Sequence, residues 1–235
     1  GLHMHIGSGA DMQHLGTVCG AMEKLATDAG GSIRSISTGG GVPTPYRNGE
    51  EHVDLDTYYQ LWDDARKRLE ERLGHKIDLE IEPGRYLVAE SGYLITEIMA
   101  VKHQADNLFY LVDAGFNNLA RPVLYGAYHP MAIAPADGSA DTCPEVDAIV
   151  GGPLCESGDI FTQEEGGIVR TEQLPRAQVG DYLVIGCAGA YGAAMGSNYN
   201  SRPMAAEVLV DDGNAQLIRA RQTFEDLVRN ESIPG

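Results

Sequence analysis

Apolar positions in the first third of the chain alternate between two spacings. Residues 2–6 form a short apolar run that ends in Gly7-Ser8-Gly9, the pattern of a strand and its exit turn. Met12, Leu15, Val18, Met22, Leu25 and Ala26 then return every three or four residues. That spacing places them on one helical face, with Asp11 as the N-cap and Gly30-Gly31 as the stop. Residues 33–38 form a second strand running into Gly39-Gly40-Gly41, and Leu55, Tyr58, Trp62, Ala65, Leu69 and Leu73 mark a second helix closed by Gly74. Ile77, Leu79 and Ile81 alternate with polar residues, a third strand that ends at Glu82-Pro83-Gly84.

Strand, helix, strand, helix, strand implies helices crossing between parallel strands. Each strand ends in residues capable of chemistry, and in parallel α/β folds the C-terminal strand ends are where sites are built. Three strands cannot close a barrel, and they leave sheet edges to be covered. After about residue 91 the pattern changes. Short strand-like runs at 93–101, 108–112, 146–150, 182–185, 207–210 and 217–219 are separated by Asp106-Asn107, Asp137-Gly138, Gly166-Gly167 and Asp212-Gly213. These features predict an α/β domain over 1–91 and an all-β domain over 92–235, with a short helix near 221–228.

The net charge of −17 removes the basic footprint a nucleic-acid binder needs. The chain has 43% hydrophobic and 22% charged residues, ordinary for a globular protein. No apolar run nears the roughly 20 residues of a membrane span. The four cysteines, Cys19, Cys143, Cys155 and Cys187, form no CxxC pair, so they read as thiols in a reducing cytosol. The opening Gly1-Leu2-His3-Met4-His5 reads as the middle of a strand, with an N-terminal part expected before it.

Several constellations carry candidate chemistry. His3 and His5 share a face of the first strand; they suit a metal-dependent hydrolase, a packed pair, or a ring stacked on a cofactor with Ser8 nearby. Of the other histidines, His14, His52, His75 and His103 are expected in helices or loops. Gly39-Gly40-Gly41 could expose N–H groups to a phosphate or simply turn the chain. Glu82-Pro83-Gly84-Arg85 pairs a carboxylate, suited to a protonated ring nitrogen, with a cation for an anion; a surface ion pair is the plain alternative. Arg121 and Tyr125 could bind a carboxylate or form an exposed pair. Cys155-Glu156 sets a thiol beside a carboxylate. The thiol could be a nucleophile, a proton donor or a small hydrophobe; as a nucleophile it has only His129 as a loose partner.

Taken in order, these segments resemble the pyridoxal 5'-phosphate (PLP) dependent fold-type III decarboxylases of the alanine racemase and ornithine decarboxylase group. The likeness is greatest to the diaminopimelate decarboxylases. It rests on 1–8, 81–85, 112–117, 121–129, 152–159 and 197–203, and covers essentially the whole chain. The resemblance implies the last units of a (β/α)8 barrel followed by a C-terminal β-domain. It implies His5 stacked on PLP, with Ser8, Gly40, Gly41, Gly84 and Arg85 around its phosphate and Glu82 at the pyridine nitrogen. Arg85, Arg121 and Tyr125 would bind the substrate's distal carboxylate, Glu156 its distal ammonium, and Tyr191 both cofactor and substrate. Cys155 would protonate the carbanion left by carbon dioxide, with Cys155 and Glu156 donated across a homodimer interface. The implied reaction is meso-diaminopimelate to L-lysine, and the implied compartment is the cytoplasm.

One part of the family pattern is missing. The lysines are Lys24, Lys67, Lys76 and Lys102, and none matches the family's Schiff-base lysine, which lies on an early barrel strand. The expectation is that this chain alone neither holds PLP covalently nor decarboxylates, and that in isolation it is poorly soluble or associates non-natively through uncovered strand edges. Two other readings remain: a non-catalytic, decarboxylase-like interaction protein, and a metal-dependent hydrolase using His3 and His5.

Overall fold

The computed structural model describes residues 1–7, 12–139 and 143–234. Ser8 and Asp11, a candidate phosphate contact and a candidate N-cap, lie outside the described residues. The chain divides into two compact units, Gly1–Glu90 and Ser91–Gly235.

The first unit holds β1 (Leu2–His3), α1 (Met12–Ala29), β2 (Ser35–Ser37), α2 (Leu55–Leu73), β3 (Asp78–Glu80) and the short α3 (Gly84–Val88). The strands lie in the order β1-β2-β3, all parallel, with Leu2 opposite Ile36 and Ile36 opposite Leu79. Helix α1 buries Leu15, Cys19, Met22 and Ala26, and α2 buries Tyr58, Trp62, Ala65 and Leu69. These spacings of three and four form one stripe on each helix, and the stripes share a core with Ile36 and Ile77. Leu25, expected in the α1 stripe, is 55% exposed, and Cys19 takes the buried position. The Asp54 side chain caps α2 by accepting from the N–H groups of Asp56 and Thr57, and Gly74 closes it at φ 76°.

The second unit begins with β4 (Leu94–Gln104) and β5 (Asn107–Val112), then α4 (Arg121–Tyr125), β6 (Met131–Ala134) and β7 (Glu145–Gly151). It continues with β8 (Gln163–Glu164), β9 (Ile168–Val169), β10 (Glu172–Pro175), β11 (Tyr182–Ile185), β12 (Glu207–Asp211), β13 (Asn214–Arg219) and α5 (Phe224–Val228). Six strands form one sheet in the order β10-β7-β5-β4-β11-β6. Its two edge strands, β10 and β6, approach each other, so the sheet curls toward a barrel. Ile98, Tyr110, Val112, Ile133, Ala148, Val150, Leu174, Leu183 and Ile185 fill it. The β5–β7 pair is parallel while the other pairs in the sheet are antiparallel, a mixture the strand pattern did not disclose. His103 lies in β4, not in a helix or loop as expected, because β4 runs three residues past the predicted strand and pairs with β5 to its end. Asp212 and Gly213 turn β12 into β13 with positive φ, the backbone that two-residue hairpins favour.

Candidate active site

Three neighbouring strand ends gather one half of the candidate chemistry. Beyond the strands proper, the Met4 N–H donates to Ser37, the Thr38 N–H to Glu80, and the Glu82 N–H to Gly39. The pairing therefore continues into the segments carrying His5, Gly40 and Glu82. The Gly40 N–H donates to His5 Nδ1 at 3.1 Å, which leaves the proton of the neutral ring on Nε2. His3 Nε2 lies 3.3 Å from Glu82 Oε1. A carboxylate only accepts, so His3 donates. His3 and His5 are both exposed in the alternating burial of residues 1–7, and each takes a different partner.

The glycines are fixed by close approach. Gly39 sits at φ 67°, and a β-carbon there would collide with the Met4 carbonyl. A β-carbon on Gly40 would lie 2.6 Å from the Glu82 carbonyl oxygen and 3.4 Å from His5 Cε1. Packing of the strand ends accounts for both glycines, and it also leaves bare backbone beside an imidazole and a carboxylate. Gly84 and Arg85 open α3 directly after Glu82-Pro83. An imidazole, a carboxylate, an arginine and side-chain-free backbone are the groups that a phosphorylated pyridine cofactor requires, so the residues present fit PLP. A lysine anchor is not among them. Lys24 and Lys67 ride on helices, with Lys67 bound to Asp63 at 2.7 Å; Lys76 precedes β3 and Lys102 lies in β4.

The other candidates lie in the second unit. The loop 153–159 exposes Pro153, Cys155, Glu156 and Ser157 while burying Leu154 and Asp159. Asp159 accepts the Phe116 N–H through Oδ1 and the Leu154 N–H through Oδ2, both at 2.8 Å. Burial pushes the Asp159 carboxyl above its usual range against the pull of these two donors. The carboxylate explains two nearby glycines, since a β-carbon on Gly115 would lie 2.9 Å from Asp159 Oδ2 and one on Gly152 would overlap it. The Cys155 N–H donates to Asn200 Oδ1 at 2.7 Å. The Glu156 carboxylate turns back to accept from Ser157 Oγ at 3.2 Å and the Gly158 N–H at 3.3 Å.

Arg121 opens α4 and is 6% exposed; its Nη1 lies 3.0 Å from His129 Nε2. It is therefore not in the exposed pair that sequence spacing allowed, while Tyr125, 59% exposed, stands at the surface. His129 also bonds the Gly186 carbonyl at 3.0 Å through Nδ1. Both its ring nitrogens are engaged, so the loose pairing of His129 with Cys155 does not form. Tyr191 is partly exposed and held at φ 60° beside buried Ala190 and Gly192. Asp159 and Asn200 were given no role in the sequence, and His129 only that of a loose partner for Cys155. Asp159 stood inside the Cys155-Glu156 motif, but nothing in a linear pattern shows a carboxylate gripping backbone 43 residues away. Among the described residues no three His, Cys, Asp or Glu side chains gather as a metal site, and no helix is long and apolar enough to cross a membrane.

Comparison with known proteins places both units. Residues 1–89 match the model of the pyridoxal-dependent decarboxylase pyridoxal-binding domain, and residues 85–189 match that of the pyridoxal-dependent decarboxylase C-terminal sheet domain. The chain belongs to the pyridoxal-dependent decarboxylase family. It is 55% identical over 234 residues to the diaminopimelate decarboxylase of Escherichia coli K12, covering 99% of this chain and 56% of that protein. It is 52% identical over 235 residues to the Streptomyces coelicolor diaminopimelate decarboxylase, covering 100% of this chain and 53% of that one. The chain thus spans about half the length of the curated relatives it matches. A crystal structure of a diaminopimelate decarboxylase superposes with a TM-score of 0.93 at 55% identity, over 97% of this chain and 55% of that one. The Helicobacter pylori diaminopimelate decarboxylase in complex with L-lysine matches with a TM-score of 0.80 at 35% identity, over 97% and 53%. The α/β-plus-all-β class, as the end of a β/α barrel followed by a sheet domain, agrees with these decarboxylase folds.

Proposed function

We propose that the protein carrying this chain is a PLP-dependent decarboxylase that converts meso-diaminopimelate to L-lysine and carbon dioxide. The observation that carries this reading is the 55% identity to diaminopimelate decarboxylases over 99% of the chain, together with the decarboxylase residue types at the strand ends. PLP bound at these residues supplies an electron sink for the carbon that loses its carboxylate. Glu82 favours the protonated form of a ring nitrogen, and His5 offers a flat face to the ring. Backbone at Gly40, Gly41 and Gly84, with Ser8 and Arg85, holds the phosphate. The covalent anchor comes from a lysine outside the three strand ends described.

Substrate selection falls to the charged groups. Arg85, Arg121 and Tyr125 bind the carboxylate that is retained, Glu156 binds the ammonium beside it, and Tyr191 contacts substrate and cofactor. The Cys155 thiol gives a proton to the carbon that has lost carbon dioxide. The active unit is a homodimer in which the Cys155-Glu156 loop of one subunit serves its partner, working in the cytoplasm as a lyase of lysine biosynthesis. Residues 1–91 act as part of a TIM barrel and 92–235 as the β-domain.

The test supplies PLP and meso-diaminopimelate to the full-length decarboxylase and, separately, to the 235-residue chain. Equimolar L-lysine and carbon dioxide from the first and none from the second is the expected result. No lysine from the full-length protein would overturn the reading.

A further inference from the structure

We infer that His129 is a positioning residue that sets the plane of the Arg121 guanidinium for carboxylate binding. The inference deepens the proposed function and rests on its assignment of Arg121 to the retained carboxylate.

The local chain is built for the contact. Helix α4 starts at Arg121 and ends at Gly126, which takes φ 59° and leaves no room for a β-carbon against Glu165. The chain turns back there and brings His129 beneath Arg121, eight residues on. His129 is 1% exposed. Two of its contacts define its chemistry. The Gly186 carbonyl oxygen, 3.0 Å from Nδ1, can only accept, so Nδ1 carries the proton. Arg121 Nη1, 3.0 Å from Nε2, can only donate, so Nε2 accepts. Both contacts are satisfied by one neutral tautomer alone. Gly186 is itself pinned, its N–H donating to the Pro130 carbonyl at 2.8 Å where β11 and β6 pair. The sheet therefore fixes Gly186, Gly186 fixes the imidazole, and the imidazole fixes the guanidinium.

The choice of a neutral acceptor has a chemical reason. An arginine grips a carboxylate through two parallel N–H bonds, and this requires a fixed guanidinium plane. A carboxylate in the place of His129 would orient Arg121 but would also offset its charge and compete with the ligand. Neutral imidazole orients without offsetting.

The test uses full-length decarboxylase and two ligands that differ by one group: L-lysine, and 1,5-diaminopentane, which is L-lysine without its carboxylate. His129→Asn retains a donor for Gly186 and removes the acceptor for Arg121. His129→Gln retains an acceptor toward Arg121 and removes the Gly186 donor. The expected result is that H129N weakens L-lysine binding about tenfold and leaves 1,5-diaminopentane within about twofold, while H129Q stays nearer wild type for L-lysine. The KM for substrate rises in H129N with kcat little changed. Equal losses for both ligands, or a greater loss in H129Q than in H129N, would mean that His129 is only structural. Nitrogen-15 spectra of the unmodified protein test the same claim without a variant: a proton on Nδ1 is expected, and one on Nε2 overturns it. Arg121→Gln separates the two levels. If R121Q weakens L-lysine selectively and H129N does not, the inference alone fails; if R121Q binds L-lysine normally, the substrate reading fails and takes the inference with it.

Discussion

The backbone N–H of Cys155 donates to the side-chain oxygen of Asn200 across 2.7 Å, joining residues 45 apart in sequence. Asn200 holds a left-handed backbone, φ 55° and ψ 28°, which asparagine tolerates better than most residues. The thiol assigned as proton donor is thus set by a residue outside its own loop. Asn200→Ala removes the acceptor and strains the backbone, and kcat of the full-length enzyme is expected to fall about tenfold through misplacement of the thiol. Asn200→Gly relieves the strain without restoring the acceptor, so it should stay as slow. Recovery of wild-type kcat in N200G would show that backbone conformation, not the hydrogen bond, positions Cys155.

Asp159 ties the same loop to Phe116 and Leu154 through both carboxylate oxygens. An amide offers one acceptor, so Asp159→Asn turns an NH2 toward one of two buried N–H groups. The expected loss is about 1–3 kcal/mol in urea unfolding. A change under about 0.5 kcal/mol, the scatter of ordinary surface substitutions, would contradict the clamp.

Glu23 joins the two helices of the first unit, meeting Arg68 at 2.8 Å and Arg72 at 2.8 Å. The Arg68 hydrogen bond holds its carboxyl below the usual glutamate range, against the opposing effect of burial. The folded state therefore binds the Glu23 proton less readily than the unfolded chain. The stability this gives is present above the ordinary glutamate pKa and is lost as pH falls through the lowered one. Glu23→Gln should cost about 1 kcal/mol at neutral pH, since both arginines are half-exposed. The gap should close in acid, and urea midpoints that differ equally at pH 7 and pH 3 would contradict this.

Burial pushes the Cys19 thiol up to about 11, which leaves almost no thiolate at neutral pH. Cys143 and Cys155 are exposed. Brief treatment of the folded protein with iodoacetamide at pH 7.5 should mark Cys143 and Cys155 and spare Cys19, as read by peptide mass spectrometry. Comparable labelling of Cys19 would contradict its place between the helices.

Much of this fold was legible because its signals are local. The stripes of α1 and α2, the stop at Gly74 and the hairpin at Asp212-Gly213 all follow from spacing and turn chemistry. Strands β6 and β10 escaped notice because four residues beside prolines carry too little alternation to register. The candidate site was legible in its motifs and not in the contacts around them. Glu82, Arg121 and Cys155 announce themselves by residue type, whereas Asp159, Asn200 and His129 act through partners 43, 45 and 57 residues away. Arg121 shows the limit most clearly: its spacing to Tyr125 allowed either a carboxylate site or a surface pair, and its contact with His129 depends on a turn that the pattern does not encode.

The central claim is that this chain carries the proton-delivering thiol of a PLP-dependent decarboxylase acting on meso-diaminopimelate. It is tested most directly by steady-state L-lysine formation in full-length enzyme with Cys155 and with Cys155→Ala, both loaded with PLP. The account predicts lysine from the first and a kcat lower by about a hundredfold or more in the second, with both proteins equally folded by circular dichroism. Equal turnover by the two proteins would contradict it.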